Sequence, residues 1–353
     1  MQVINKVASP LNTILDAVIE PRDANFWLQK INPLWSVNQA LGKLVRKEQI
    51  AQEMMSLIFA VNSKFQMGQA GQHHPIWVEV DGVRLERSYS LTKVDAKHVR
   101  LTVKLVEGGK VSQQLQNSQI GQIFEFGQPY GDMCLENNPQ AVLMLAAGSG
   151  ITPMYSLICH AVETGQLLKQ AIELWYWVKT PQDAAFVVEF ERIAQQYPNF
   201  SFKLWQTQAE PFDARFNADY LNGRDLSQTT VFACGPAGFA AAVEQSCTQA
   251  KQLKTEAFSL DFAQRDTTGE VTVTLAKSGK TLRIAKGQSI LTSLEQQQIK
   301  PQHGCRMGIC NKCVCQKVEG STQNLVNGQQ NTEPGTLLKI CVNSAQSDLV
   351  LDL

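Results

Sequence analysis

The rhythm of apolar and polar positions changes several times along the chain. Near the start, Leu11, Ile14, Leu15 and Val18 recur at helical spacing behind Ser9, an N-cap residue type, and Pro10, which suits the first helical position. Pro21 stops that pattern. In "NFWLQKINPLW", Phe26, Trp27, Leu34 and Trp35 read first as core-filling side chains and second as a clamp on the next domain or a contact for a partner. From about residue 46 to 136 the apolar positions alternate. "HPIWVEVDGVRLERSYS" turns at Asp81-Gly82, and Val99, Leu101, Val103 and Leu105 keep period two, which predicts a small antiparallel β-barrel. "QAVLMLAAGSGITPM" then opens a third rhythm, a fully apolar strand, a glycine loop and a helix start. "AIELWYWV", "SFKLWQT" and "TTVFACGP" alternate with helical stretches such as "PQDAAFVVEFERIAQQY", so a parallel sheet covered on both faces is expected. Polar "AQRDTTGE" reads as a linker. A hairpin and a helix are expected in "EVTVTLAKSGKTLRIAKGQSILTSLEQQQI", just ahead of a cysteine-rich stretch. The expected divisions are a helical extension over 1–45, the barrel over 46–136, the α/β unit over 137–262 and an α+β unit over 267–353.

Composition narrows the class. With 353 residues, 44% of them hydrophobic and 18% charged, the chain is long enough for several globular units. Thirty-two basic and thirty-two acidic side chains cancel, which argues against a nucleic-acid footprint. Asp16, Glu20 and Pro10 break any signal-peptide core, and no run of eighteen apolar residues could span a bilayer, so a cytoplasmic protein is expected. Five of the nine cysteines lie beyond residue 300, where metal or cluster ligation explains the crowding better than disulfides.

Those cysteines stand in "HGCRMGICNKCVC". Cys305, Cys310 and Cys313 form C-x4-C-x2-C, with Cys341 downstream, the plant-type spacing for a 2Fe-2S cluster. A structural zinc site more often pairs two C-x2-C units and is the weaker alternative. Cys315 exceeds the four-ligand count and reads as a packed thiol.

Residues 267–353, closing with "GTLLKICVNSAQSDLVLDL", resemble a plant-type ferredoxin domain, which implies a β-grasp fold. Asn311 stands where many members carry glycine. "RSYS" at 87–90 resembles the flavin signature of the ferredoxin-NADP reductase superfamily, supported by "GGKVSQQL" and "GQPYGDM". The resemblance implies FAD held through Arg87, Ser88, Tyr89 and Ser90: Arg87 on the pyrophosphate, Tyr89 against the isoalloxazine and Ser90 near flavin N5. Gly109, Val111 and Ser112 would add pyrophosphate contacts through backbone and hydroxyl groups. In "AAGSGITP", Gly148 and Gly150 let the backbone approach a phosphate, and Thr152 and Pro153 open a helix whose N-terminus favours anions. "ACGPAGF" resembles the nicotinamide-proximal segment, with Cys234, Gly235 and Pro236, and Cys234 beside the site of hydride transfer. "EAF" places Glu256 and Phe258 close to the flavin. Tyr89, Ser90 and Cys234 are the expected catalytic residues. The second strand ends at Lys179, with Asp183 later, which favours NADPH over NADH.

The implied activity is an NAD(P)H-dependent electron-transfer reductase. A hydride carries two electrons and a cluster accepts one, so a flavin is the adapter between them, and the protein itself is expected to supply positioning without a general acid or base. No HxxxH or HxxHH box for a diiron centre occurs, so the acceptor is a separate protein. The domain order resembles bacterial reductases serving membrane diiron fatty-acid desaturases or alkane hydroxylases. A reductase for a soluble ring-hydroxylating dioxygenase or a hybrid-cluster protein is the alternative, and a non-enzymatic iron-sulfur redox sensor is the reading of a different class. Arg306, Lys312 and Lys317 near the cysteines suggest a basic face for an acidic partner, with solvated surface charge as the simpler reading.

Overall fold

The structure is a computed structural model that describes residues 20–135, 141–208, 215–259, 269–326 and 328–353. The helix expected over Leu11 to Val18 lies outside those residues. The first described helix, α1 (Pro21–Ile31), starts with a proline at its first position. Buried Asn25 ties it to the next turn: its Oδ1 accepts from Ser36 Oγ at 3.0 Å and Val37 N at 2.8 Å. The aromatic side chains expected to fill a core do not: Phe26, Trp27 and Trp35 are 55%, 69% and 50% exposed. Asn25, a polar residue, occupies the inward face, so the aromatics point the other way.

Six strands close a barrel: β1 (Ala40–Ala51), β2 (Met54–Val61), β3 (His73–Val80), β4 (Val83–Lys93), β5 (His98–Lys104) and β6 (Ile123–Phe126). Their order is β1-β2-β5-β4-β3-β6, and β6 returns to β1 through Ala40↔Phe126. Strand β1 begins at Ala40, so the barrel takes in the last residues of the stretch expected as extension. Asp81 (φ 51°) and Gly82 (φ 73°) make the β3–β4 turn, the positive-φ pair that a two-residue hairpin needs. Alternating side chains such as Leu57, Phe59, Leu101 and Val103 fill the interior, and Leu105, the last of the expected series, lies beyond β5 and is exposed. Phe59 meets Phe124 and Phe126 edge to face, each at 5.4 Å. Helix α2 (Lys110–Asn117) plugs the barrel with Val111 and Leu115.

The second unit is a five-stranded parallel sheet of β7 (Ala141–Ala147), β8 (Ile172–Val178), β9 (Phe200–Gln206), β10 (Thr229–Pro236) and β11 (Gln252–Ser259), ordered β11-β10-β7-β8-β9. Met144, Ala146, Leu174 and Tyr176 face α3 (Ile151–Glu163) and α4 (Val187–Gln196), while Leu143, Leu145, Trp175 and Trp177 face α5 (Ala237–Ser246). Both faces are covered, as continuous apolar strands require.

The last unit contains β12 (Glu270–Leu275), β13 (Lys280–Ala285), α6 (Ile290–Gln296), β14 (Val314–Glu319), β15 (Thr322–Asn324), β16 (Gln330–Asn331), β17 (Thr336–Lys339), β18 (Asn343–Ala345) and β19 (Leu349–Leu351). The main sheet runs β13-β12-β19-β14-β17, with β16-β15-β18 beside it. Ser289 caps α6 by accepting from Thr292 N at 3.2 Å. Among the described residues no helix is long and apolar enough to cross a membrane.

Candidate active site and cluster centre

Three of the four thiols are buried: Cys305, Cys313 and Cys341 are at most 4% exposed. The loop from Gly304 to Cys313 is folded tightly, with Arg306 (φ 60°), Gly308 (φ 76°) and Asn311 (φ 57°) in the left-handed region. Asn tolerates that conformation better than most side chains, which explains how it stands in for glycine at 311. Turning the chain this way points amides at sulfur: Met307 N and Cys310 N donate to Cys305 Sγ at 3.4 and 3.3 Å, and Cys305 N donates to Cys310 Sγ at 3.2 Å. Cys313 Sγ lies 3.1 Å from Cys341 Sγ. The Cys310 thiol, helped by these amides, brings the Cys305 thiol down to about 6, and the Cys341 thiol brings Cys313 down to about 7. One thiol of each pair, Cys305 and Cys313, is thus favoured as a thiolate, while its partner, Cys310 or Cys341, keeps its proton and is raised.

Among the described residues no three His, Cys, Asp or Glu side chains gather round a single ion position. The thiols form two pairs instead, Cys305 with Cys310 and Cys313 with Cys341, a donor set that fits two irons better than one tetrahedral ion. Cys315 points into the domain core, and burial pushes its thiol up to about 12.

The basic face expected around the cysteines is not there, because each cation already has a partner. Arg306 forks onto Glu295, with Nη1 2.8 Å from Oε2. Lys312 Nζ sits 2.8 and 2.9 Å from the two oxygens of Glu86 on the barrel. Lys317 is wholly buried and donates to Gly320 O, Asn331 O and Asn331 Oδ1 at 3.0, 2.8 and 2.9 Å.

On the barrel, β4 carries Arg87, Ser88, Tyr89 and Ser90 in succession. Burial, followed by the Arg306 guanidinium, lowers the Arg87 pKa, so two cations converge where an anion would be favoured. Ser88 Oγ and Tyr130 OH are buried without a hydrogen-bond partner, and Arg306 Nε shares that state. Such orphans mark a place built for a polar group; they fit a flavin nucleotide beside β4. Burial pushes the Tyr89 phenol well above its ordinary value, so it stays neutral. Val111 and Ser112 open α2, where N–H groups lack intrahelical partners. The Ser112 hydroxyl proton is already used on Gly109 O at 2.9 Å, which leaves amides as the phosphate donors there.

The segments expected to hold the nicotinamide meet at the carboxyl ends of β7 and β10, the crevice where open α/β sheets bind ligands. A Cβ at Gly150 would stand 2.0 Å from Cys234 O, and one at Gly235 would stand 2.9 Å from Ala147 Cβ, so the two loops touch and both positions require glycine. Thr152 spends its hydroxyl on Ser149 O at 3.2 Å, and Pro153 is buried in the first turn of α3. Beside Gly148 and Pro236 lies a cavity of about 600 Å3 lined by Trp177, Lys179, Asp183 and Arg215. The Asp183 carboxylate is committed to a capping box, accepting from Thr180 N at 3.1 Å and Thr180 Oγ1 at 2.9 Å. Cys234 is fully buried, and burial followed by the Glu256 charge raises its thiol.

Residues that sequence reasoning missed link these parts. His73 Nδ1 lies 3.0 Å from Ser90 Oγ and its Nε2 lies 2.8 Å from Glu256 Oε2, all three side chains buried. Phe258 lies edge-on to His73 at 5.7 Å. Glu256 was noticed only as part of "EAF", and a histidine 183 positions upstream gives no signal of meeting it.

A barrel with a flavin-type strand, a parallel sheet with a dinucleotide crevice, and paired thiols in a third domain define an electron-transfer reductase built in one chain. Residues 41–134 match the oxidoreductase FAD-binding domain, residues 144–245 the oxidoreductase NAD-binding domain, and residues 273–344 the 2Fe-2S iron-sulfur cluster binding domain. The chain belongs to the ferredoxin-NADP reductase superfamily, with its domains in the order of the phthalate dioxygenase reductase family. It is 31% identical over 356 residues to an NADPH oxidoreductase of Mycobacterium tuberculosis, covering 97% of this chain and 92% of that protein. Identity to phthalate dioxygenase reductase of Burkholderia cepacia is 24%, over 88% and 96% of the two chains. A solved phthalate dioxygenase reductase shares the fold with a TM-score of 0.65 at 24% identity, covering 89% of this chain and 97% of that one.

Proposed function

We propose that the chain takes reducing equivalents from NADPH in preference to NADH and passes them singly to a separate oxygen-activating iron protein, with a membrane diiron desaturase or hydroxylase as the first candidate. Bound FAD and a 2Fe-2S cluster supply the conversion from a two-electron donor to one-electron delivery. The residues of the chain do the rest. Arg87 and the amides opening α2 hold the pyrophosphate, Tyr89 and Phe258 shape the flavin site, and Gly148, Gly150, Gly235 and Pro236 admit the dinucleotide. Cys234 marks the nicotinamide end. Ser90, His73 and Glu256 form a buried series that can hold a proton at Ser90 Oγ and pass it toward Glu256 Oε2.

The observation that carries the reductase reading is the pairing of the four thiols next to the barrel strand that bears Arg87 to Ser90. NADPH is favoured because Lys179 and Arg215 line the cavity while its acids are committed, Asp183 to Thr180 and Glu53 to Lys104 at 3.2 Å. Exposed Phe26, Trp27, Ile31 and Trp35 support an acceptor at a membrane. A soluble oxygenase is the second reading, supported by relatives such as the glycine betaine monooxygenase reductase subunit of Chromohalobacter salexigens, 25% identical over 77% of this chain.

A visible spectrum before and after NADPH tests the first step: flavin and cluster bands should bleach, and a protein that stays colourless after cluster reconstitution would end the reading. Turnover at equal NADPH and NADH concentration tests the cofactor, with a strong NADH preference as the contrary result. Reconstituted lipid desaturation in membranes carrying a candidate desaturase tests the acceptor. Activity only with a soluble ring-hydroxylating oxygenase would select the second reading.

A further inference from the structure

Helix α1 is turned inside out. Its inward side is polar: Asn25 Nδ2 donates to Asn38 Oδ1 at 2.9 Å, and Gln29 Nε2 donates to Gln39 Oε1 at 3.1 Å. Together with the bonds that Asn25 Oδ1 accepts, these fix the roll of the helix, so that Phe26, Trp27, Lys30 and Ile31 share the side facing solvent. A surface helix ordinarily does the reverse and turns its apolar stripe to the protein. Ile31 is 73% exposed. Trp27 stands edge-on to Phe26 with 5.3 Å between ring centres, and Lys30 Nζ lies 5.3 Å from the centre of the Phe26 ring. Past the helix end, exposed Trp35 borders a cavity of about 890 Å3 between α1 and the barrel, whose wall includes Leu34, Phe65, Met67 and Lys97. Asn62 Nδ2 donates to Leu34 O at 3.0 Å and so holds the turn that carries Lys64 beside this edge. Among the described residues, Arg22, Lys30, Lys64 and Lys97 are exposed and pair with no acid. Of the acids nearby, Glu20 and Asp23 stand at the positive end of the helix, and Asp95 is bonded to Lys97 N at 2.7 Å and to His98 Nδ1 at 2.9 Å.

We propose that this face, α1 with Trp35 and the cations around it, seats the protein on the surface of an anionic phospholipid bilayer. The inference concerns lipid itself and holds whichever acceptor takes the electron. Indole rings combine an apolar body with one N–H, which suits the boundary between headgroups and acyl chains. The unpaired ammonium and guanidinium groups around them meet phosphates there. Aromatic insertion and charge attraction are the two contributions that hold a helix in the interface without spanning it. A second copy suits the face poorly, because a two-fold contact would set the same cations against each other. The chain that leads into α1, outside the described residues, adds Leu11, Ile14, Leu15 and Val18 in sequence.

Flotation of the holoprotein with vesicles of equal parts phosphatidylcholine and phosphatidylglycerol tests this. The parent should float with the vesicles. The variant F26S/W27S/W35S should bind about a hundredfold more weakly while keeping its flavin and cluster absorption and its bleaching by NADPH. Lys30→Gln and Lys97→Gln should each weaken binding about fivefold and leave binding to pure phosphatidylcholine unchanged. A parent that stays in the soluble fraction overturns the proposal, as does a triple variant that floats as well as the parent. So does a parent dimer that the triple substitution splits into monomers, since a second copy then covers the face. Should the triple variant lose its visible absorption, Trp27→Gln and Trp35→Gln carry the test singly: each should weaken flotation about tenfold, and parent-like flotation of both overturns the proposal. Flotation needs no turnover, so its outcome is separate from that of the reductase reading, which falls if the parent does not bleach with NAD(P)H.

Discussion

The barrel meets its two neighbours through seams of opposite character. Against the nucleotide domain it offers His73, whose partner Glu256 is 6% exposed while His73 itself is 2% exposed, and the Ser156 hydroxyl on α3 donates to Leu91 O at 2.7 Å nearby. Against the ferredoxin domain it offers Glu86, 13% exposed, to Lys312. A pair buried on both sides cannot part without stranding a group away from water, whereas Lys312, 43% exposed, exchanges Glu86 for solvent at smaller cost. The first seam is a fixed joint and the second a separable one.

The sharpest way to break this contrast is Glu256→Ala. It leaves His73 Nε2 buried without its partner and should cost about 1–3 kcal/mol, read as a fall in denaturation midpoint. A cost no larger than that of altering Lys312 would refute the contrast. Acid should also attack the fixed joint. His74, next to it, is neutral: its Nε2 accepts from Gly68 N at 3.1 Å and its Nδ1 faces Gly127 O. Burial pushes its pKa down to about 4, against a weaker upward pull from the Gly127 carbonyl. Between about pH 6.5 and pH 4 the unfolded chain binds a proton that the folded one refuses. Stability should therefore fall through that window by up to about 3 kcal/mol and level off below it. Denaturant midpoints at successive pH values check this, and His74→Gln should flatten the slope.

Within the cysteine loop, Asn311→Val forces a β-branched residue into the left-handed region, for about 1–2 kcal/mol and a faster loss of visible absorption on heating. Lys312→Gln should cost under about 1 kcal/mol and abolish the salt sensitivity of deuterium exchange at residues 304–312. If molar salt opens the His73 seam as readily, the two seams are not different in kind.

Much of this was legible in the chain because its signals are local. Alternation announced β3 to β5, the Asp81-Gly82 pair announced their turn, and the cysteine spacing announced a 2Fe-2S domain. What stayed hidden depends on partners. Arg306, Lys312 and Lys317 look alike as letters, yet one forks onto a helix, one crosses to another domain and one is swallowed by backbone carbonyls. Phe26 and Trp27 have core-like side chains, but the helical face that turned inward was set by the hydrogen bonds of Asn25. His73 meets a partner distant in sequence, Glu256, which periodicity cannot register. Even Phe186, stacked at 3.8 Å on Tyr155, sits at φ 63°, a backbone state that no pattern of apolar residues would suggest.

Trp177 and Phe239 line the cavity beside Gly148 and Pro236, and behind that wall Trp177 lies 6.0 Å from Trp175 and 6.2 Å from Trp205, with Tyr220 close by. Indoles this near share excitation energy and couple their transitions. The domain thus carries its own optical probe: a dinucleotide settling against Trp177 should quench ultraviolet emission and reshape the near-ultraviolet dichroism without any added label.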